Sequence, residues 1–479
     1  MQMSFRQFSR AGRPLTLAAL SLAILGTLAV PQRAHASAFQ LHEDSAAAMG
    51  RAYAGSTTAG GDVSVVANNP AAMSELHGTY FQADVTAINF GANFSGSAHD
   101  ALGRPISGGN GGNAGTTMPV PAFFFATQLG DKWHVGAAFT VPFGFQTEYD
   151  SNWVGRYNAI KSKFESLDGT LSLSYDVSDT FSLGVSGIAQ KTSAELTSAV
   201  NYNAVGLGLI SQGVGAGAIP PAAAPGLISQ VGAVVPPGTD GYARIKGDDW
   251  AYGYQVGMLW KISPNDRFAL NYRSKISHTL EGTANFTVPA NVQALLANPT
   301  VAALLAGAGG VPFTHTDGAA PFTTPAEATA SYWHQEEKFG LGMDVSWTKW
   351  DVFKSLNVYY ANPAQPTTSE AFNWKNSWYI AIGGDYYVND KLTLRAGVAL
   401  DTTPTQTATR DPRVPDGTRQ FVSVGLGYKV NERFELNASY AHIFVNSARV
   451  NAASSTADMI TGEYDDYGNL LSLSAQYKF

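Results

Sequence analysis

Over most of the chain, apolar and polar residues alternate one for one. Trp250, Tyr252, Tyr254, Val256, Met258, Trp260 and Ile262 are separated mainly by small or polar residues such as Gly253, Gln255 and Gly257. Phe339, Leu341, Met343, Val345 and Trp347 alternate with Gly340, Gly342, Asp344 and Ser346. The same rhythm runs through Leu392–Leu400 and Val422–Val430. A period of two puts every second side chain on one face, so each run is a strand with one apolar face. The runs exceed the ~5–6 residues of an ordinary soluble strand and fit the ~9–11 of a tilted transmembrane strand with some overhang. Trp250, Trp260, Trp347, Trp378 and Tyr428 gather near the ends of the apolar faces, as an interfacial girdle requires.

The pattern predicts strands at 79–94, 119–130, 132–147, 166–178, 180–197, 244–263, 266–287, 325–335, 337–357, 375–389, 391–402, 419–430, 433–447 and 465–479. Turns such as Asn389–Lys391 and Asn431–Arg433 join some of them, and long connections join others. Short turns on one side and long loops on the other are the habit of outer-membrane barrels. An even count returns both ends of the sheet to one side. Closure matters because an open edge in lipid strands backbone groups at several kcal/mol each. The expected fold is all-β, a 14-stranded antiparallel transmembrane β-barrel. The alternative is a soluble two-sheet protein, which would need polar outer faces.

Composition narrows the choice. Charged residues are 14% of 479, aromatics 11%, and there is no cysteine. A disulfide scaffold and a cysteine-ligated metal are excluded. Nucleic-acid binding does not fit 30 basic against 37 acidic residues with no basic tract. No metal and no cofactor is expected. The chain opens with Arg6, Arg10 and Arg13, an uncharged run from Leu15 to Val30, and Ala34-His-Ala36, which together read as a secretory signal peptide over 1–36. A membrane anchor is the alternative, but ~20 apolar residues are needed to span. Loss of the four arginines in that stretch takes the formal charge from −7 to −11. At the other end Leu471, Leu473, Ala475, Tyr477 and Phe479 alternate to a terminal aromatic, similar to the signal read by the barrel assembly machinery.

Residues 37–76 do not alternate. They are small and polar, with Phe39, Leu41, Met49, Tyr53 and Met73 interspersed. A 14-stranded lumen is too wide for wall side chains to fill, since ~8 strands is about that limit. The segment therefore reads as a plug, with a periplasmic tail as the alternative, and the barrel proper as 77–479.

Several stretches make the chain recognisable: Ser37–Leu41, Gly50-Arg51-Ala-Tyr53-Ala-Gly55 and Asn69-Pro70-Ala71 near the start, then Ala137–Gly144, Trp250–Tyr254, Arg267–Ser274, Tyr379–Gly383 and Val414–Asp416. They resemble the FadL/TodX family of outer-membrane transporters of long-chain fatty acids and aromatic hydrocarbons, over the whole mature chain. The resemblance implies an N-terminal hatch carrying Phe39, Gly50, Arg51, Tyr53, Gly55, Asn69, Pro70 and Ala71. It implies diffusive uptake of a hydrophobic ligand, delivered to the lipid bilayer of the Gram-negative outer membrane. A monomer is expected.

Three features bear on mechanism. Pro142 cannot donate to a ladder and Gly144 has no side chain to pack, so Val141-Pro142-Phe143-Gly144 breaks the third strand. A harmless bulge would also explain this; the resemblance implies a side opening, with Thr147 and Glu148 following it. The loops 198–240 and 288–324 are apolar, through Leu207, Leu209 and Ile210 in one and Leu295, Leu296, Leu304 and Leu305 in the other. Exposed apolar patches usually mark binding, and the resemblance implies ligand capture there, with simple packing as a lid the alternative. Phe39 is implied to lie near the interior pocket, on an arm whose movement releases ligand.

Long-chain fatty acid is the first-choice substrate, by analogy with the family, and an aromatic hydrocarbon is the alternative. A buried carboxylate needs a cation or donors. The positions matching the fatty-acid transporter's two basic residues hold Ser198 and Glu370, while Lys191, Arg273, Lys375 and Arg395 are substitutes. An outer-membrane lipid hydrolase would need a nucleophile beside a histidine, and none of His42, His77, His134, His334 and His442 sits in such a motif.

Overall fold

The structure is a computed structural model and describes residues 38–217, 219–299 and 310–479. The expected signal peptide lies outside the described residues. Fourteen antiparallel strands form the wall: β1 (Thr79–His99), β2 (Thr117–Leu129), β3 (Trp133–Glu148), β4 (Lys161–Ser178), β5 (Phe181–Asn201), β6 (Asp240–Lys261), β7 (Asp266–Arg273 and Ile276–Thr287), β8 (Thr316–Thr324 and Glu327–Gln335), β9 (Phe339–Thr348 and Ser355–Tyr360), β10 (Thr368–Ala371 and Ser377–Tyr387), β11 (Leu392–Asp401), β12 (Arg419–Asn431), β13 (Phe434–Val445 and Ala448–Ala453) and β14 (Met459–Lys478). Neighbours in sequence pair, and β1 closes on β14 from Tyr80↔Lys478 to His99↔Met459.

The faces are those of a protein dissolved in lipid. Leu171, Tyr252, Val398 and Leu471 project outward and are exposed, while Ser172, Gln190, Asp344 and Ser472 point inward and are buried. Inside, polar side chains satisfy one another across strands: Thr86 donates to Ser472 at 2.8 Å, and Gln190 to Asp168 at 2.8 Å. Asn389 and Asn431 fix two of the short turns, each side-chain oxygen accepting two backbone N–H groups at 2.9–3.1 Å.

Each expected strand has its counterpart, but the wall rises further on the long-loop side. Thr316–Thr324, placed by the sequence inside an apolar loop, is wall and pairs with Ile276–Ala284 of β7. Its Gly318 and Pro321 hide the alternation, and the backbone pairing holds regardless. Strands β7 to β10 are interrupted at one level, at 274–275, 325–326, 349–354 and 372–376. The breaks in β9 and β10 turn Trp350, Phe353, Phe372 and Trp374 into one buried aromatic cluster.

Residues 38–76 sit inside the ring. They carry two short helices, α1 (Ala46–Met49) and α2 (Val65–Asn68), and a 3-10 turn Pro70–Glu75 capped by Asn69. Wall glycines meet this segment's backbone from several sides. A Cβ on Gly184 of β5 would lie 2.3 Å from Ala71 N, one on Gly383 of β10 2.2 Å from Arg51 O, and one on Gly425 of β12 2.8 Å from Gly50 Cα. Salt bridges add to the seating: Arg51 to Asp385 at 3.3 Å, and Glu75 to Lys261 at 2.7 Å and Arg267 at 3.0 Å.

Gly55, within the segment, is also tightly enclosed. Its φ is +73°, its N–H donates to Asp344 at 2.6 Å, and a Cβ would lie 2.4 Å from Trp333 Cε3. Gly55→Ala is therefore expected to cost about 1–3 kcal/mol through overpacking, with strain at positive φ added. A lowered unfolding temperature of the barrel, read by its heat-dependent gel mobility, checks this; an unchanged transition would mean the segment shifts freely.

Candidate functional site

The ladder between β2 and β3 is incomplete. It runs from Leu129↔Trp133 only as far as Phe123↔Phe139, while β2 continues against β1 to Asn89↔Thr117. Beyond Phe139, β3 has left β2, and its register with β4 slips between Thr140 and Phe143. Val141 and Pro142 form that slip. Phe143 turns inward and is buried, and Gly144 leaves the space beside it open.

The freed edge of β3 is taken by the N-terminal arm. Leu41 N donates to Pro142 O at 2.8 Å, and Gly144 N donates to Phe39 O at 2.9 Å. Between these bonds the Phe39 ring enters the aromatic cluster. Phe164 and Trp350 lie 4.9 Å from it, Phe145 5.3 Å and Trp374 5.4 Å, centroid to centroid. The indole N–H groups of Trp350 and Trp374 are buried there without an acceptor among the described residues.

Next to the arm lies a cavity of about 400 Å³. Pro119, Pro121 and Phe139, from the outward side of the wall, line it together with Phe39, Phe164 and Val414 from the inside, so it crosses the wall at the gap. Arg413 and Asp416 border it from the loop between β11 and β12, which folds back into the lumen, and Arg419 from the start of β12. Arg413 is bonded to Glu370 at 3.2 and 3.3 Å, and Arg419 to Asp416 at 2.9 Å. Asp416 also accepts from Ala38 N at 3.1 Å, which anchors the arm. Burial pushes the Asp411 carboxyl above the usual carboxylate range, with Glu370 nearby adding to the rise. Across the arm is a second cavity of about 100 Å³, polar, lined by His42, Asp44, Tyr53, Thr57 and Glu327.

Gly50, Arg51, Tyr53, Gly55, Asn69, Pro70 and Ala71 are all buried in the segment seated on the wall, but only Phe39 among the expected hatch residues borders the 400 Å³ chamber. Leu207, Leu209 and Ile210 lie on helix α3 (Tyr202–Gly215), half-buried, exposed and buried in turn. Leu295 and Leu296, on α5 (Ala290–Leu296, with Ala224–Val234 as α4), are half-buried and pack against Val200, Tyr202 and Val292. None of these loop residues lines the chamber. Leu304 and Leu305 lie outside the described residues. Of the proposed cations, Arg273 pairs with Asp168 and Lys191 with Asp248. Arg395 hydrogen-bonds Asn437 and lies near Asp385 and Glu435. None of Lys191, Arg273, Lys375 and Arg395 borders the chamber. The sequence reading missed Arg413 and Arg419, although Arg410-Asp-Pro-Arg-Val-Pro-Asp416 is a charge-dense run in a charge-poor chain. Among the described residues no group of three or more His, Asp or Glu is placed to hold a metal ion.

Residues 27–479 match the family described as Outer membrane protein transport protein (OMPP1/FadL/TodX). The chain belongs to this family. It is 28% identical over 472 residues to the putative outer membrane protein NMB0088 of Neisseria meningitidis serogroup B, covering 95% of this chain and 97% of that one. It is 25% identical over 428 residues to the long-chain fatty acid transport protein of Escherichia coli O6:H1, covering 88% and 90%. Among solved structures, a Pseudomonas aeruginosa FadL homologue superposes with a TM-score of 0.82 at 29% identity, covering 92% of this chain and all of that one. The P. putida toluene transporter TodX shares the fold, with a TM-score of 0.63 at 20% identity over 94% of this chain and 99% of that one. As a FadL/TodX-family barrel, the protein resides in the Gram-negative outer membrane and is a transporter of hydrophobic compounds.

Proposed function

We propose that the protein takes up hydrophobic molecules by diffusion and releases them sideways into the bilayer through the gap between β2 and β3. The observation that carries this reading is the 400 Å³ chamber, bordered by Phe39 on the inside and by Pro119, Pro121 and Phe139 on the lipid side of the wall. Ligand reaches the chamber past the arm, and residues 38–76 act as the hatch that blocks a straight path. Both the acyl chain of a long-chain fatty acid and an aromatic hydrocarbon suit the lining; a relative named for fatty acids and a neighbour named for toluene represent the two. The barrel assembly machinery recognises the closing strand, and the monomer is the working unit. A structure of the protein extracted gently with ligand tests the reading: density in the chamber supports it, and ligand found only elsewhere in the lumen overturns it.

The outer loops capture ligand in this scheme. Leu209, at 57% exposed, Ile228 and Val234 present apolar surface on α3 and α4. Placing Asp at Leu209 and Leu296 is expected to slow uptake at low external ligand, while saturating ligand restores the rate. Equal uptake at every concentration would remove the capture role.

A further inference from the structure

We propose that Glu370 is a built-in counter-ion that occupies the anion-binding capacity of Arg413 and so makes the chamber select uncharged ligands. This rests on the chamber being the ligand site.

Among the described residues that line the chamber the cations are Arg413 and Arg419, and Arg413 does not bond the arm. It is 6% exposed, and its Nε and Nη2 donate to the two carboxylate oxygens of Glu370 at 3.2 and 3.3 Å. That is the bidentate geometry in which a guanidinium would hold a ligand's carboxylate. Asp411 lies 3.8 Å from Arg413 on the same loop and adds a second carboxyl group. The other cation at the chamber, Arg419, is bonded to Asp416 and to the backbone of Ala38. The remaining charged groups at the lining are Glu43 and Glu165, both carboxylates.

An incoming carboxylate thus meets two guanidinium groups that already hold protein carboxylates. It would have to displace Glu370, or be buried beside Glu370 and Asp411 unpaired, and a buried unpaired charge is costly. A hydrocarbon, ester or alcohol meets no such cost. Glu370 comes from β10 and Arg413 from the loop before β12, so the pairing is a property of the assembled chamber rather than of one local motif.

The experiment uses the full chain in lipid nanodiscs and a matched pair of probes, oleyl alcohol and oleate. In the parent protein the alcohol is expected to bind at least about tenfold tighter, ~1.4 kcal/mol. Equal or tighter oleate binding in the parent overturns the proposal, and this arm needs no variant to fold. Glu370→Gln is then expected to move the oleate-to-alcohol ratio toward oleate, and Glu370→Gln with Asp411→Asn to move it further. Glu370→Asp should keep the parental ratio, and Arg413→Leu in the double variant should remove the gain. A ratio that stays fixed through the series overturns the proposal. Gly144→Leu, which fills the chamber, serves as control. If neither probe's binding is sensitive to it, the chamber is not the ligand site and the transport reading fails as well; if both are sensitive but bind equally, only the charge selection fails.

Discussion

Pro142→Val combined with Gly144→Leu is expected to leave a folded barrel that binds ligand at its outer loops but fails to deliver it. Gly144 borders the chamber, and a Cβ there would stand 3.2 Å from Leu41 Cδ1. That neighbour is the end of a flexible side chain, so a leucine is accommodated by filling chamber space rather than by breaking the backbone. Valine at 142 supplies the N–H that proline lacks on the edge of β3 covered by the arm, where one further backbone hydrogen bond contributes roughly 0.5–1.5 kcal/mol. Uptake of labelled ligand should fall at least about tenfold, the effect of ~1.4 kcal/mol on the limiting step. Heat-dependent gel mobility should stay parental. Parental uptake in the filled variant would mean that ligand leaves by another route, and the lateral exit would not apply to this protein.

Phe39→Ala carries the second large effect. The ring is 4% exposed and touches aromatic neighbours on every side. Removing a buried phenyl group costs about 3–5 kcal/mol. The wall does not depend on this contact, because its ladders close independently, so the loss falls on docking of the arm. The chain contains no cysteine, which makes a single introduced thiol specific. Gln40→Cys, placed where Gln40 is 6% exposed, should react slowly with a soluble maleimide in the parental background. In Phe39→Ala it should react roughly a hundredfold faster, the equivalent of about 3 kcal/mol of lost docking energy. Equal rates would show that the backbone bonds to Pro142 and Gly144 hold the arm without the ring.

The wall was legible because period-two alternation and a lipid-facing surface are the same constraint stated twice. Fourteen segments followed from it, and Trp250, Trp260, Trp378 and Tyr428 stand outward at 44–55% exposure as a girdle should. The upper strand ends were not legible. Where lipid no longer touches the wall, as at Thr316–Thr324, nothing enforces the alternation and only backbone pairing defines the strand. The break at Pro142 could be read because it depends on one missing donor and one missing side chain. The chamber's charge could not, since Glu370 and Arg413 meet only once β10 and the folded-back loop are in place. Phe353 and Trp374 were hidden for a related reason: the interruptions of β9 and β10 bury side chains that simple alternation would place on the outer face.

The glycine-lined seat of the N-terminal segment has a consequence for how the chain finds its pairing. A strand slipped by two residues keeps its apolar face outward, so the bilayer is blind to that error. The inner segment is not. Gly383 and Gly397 are paired across β10 and β11, and a Cβ on either would lie 2.2 Å from an Arg51 backbone atom. A two-residue slip of either strand puts a side chain where those atoms must be. The segment precedes every strand in the chain, and the ring closes where β14 meets β1, so a segment seated before closure meets each strand as it is added. It can then act as a gauge around which the strands are set, and mis-registered rings are rejected by collision rather than by any difference in their exposure to lipid.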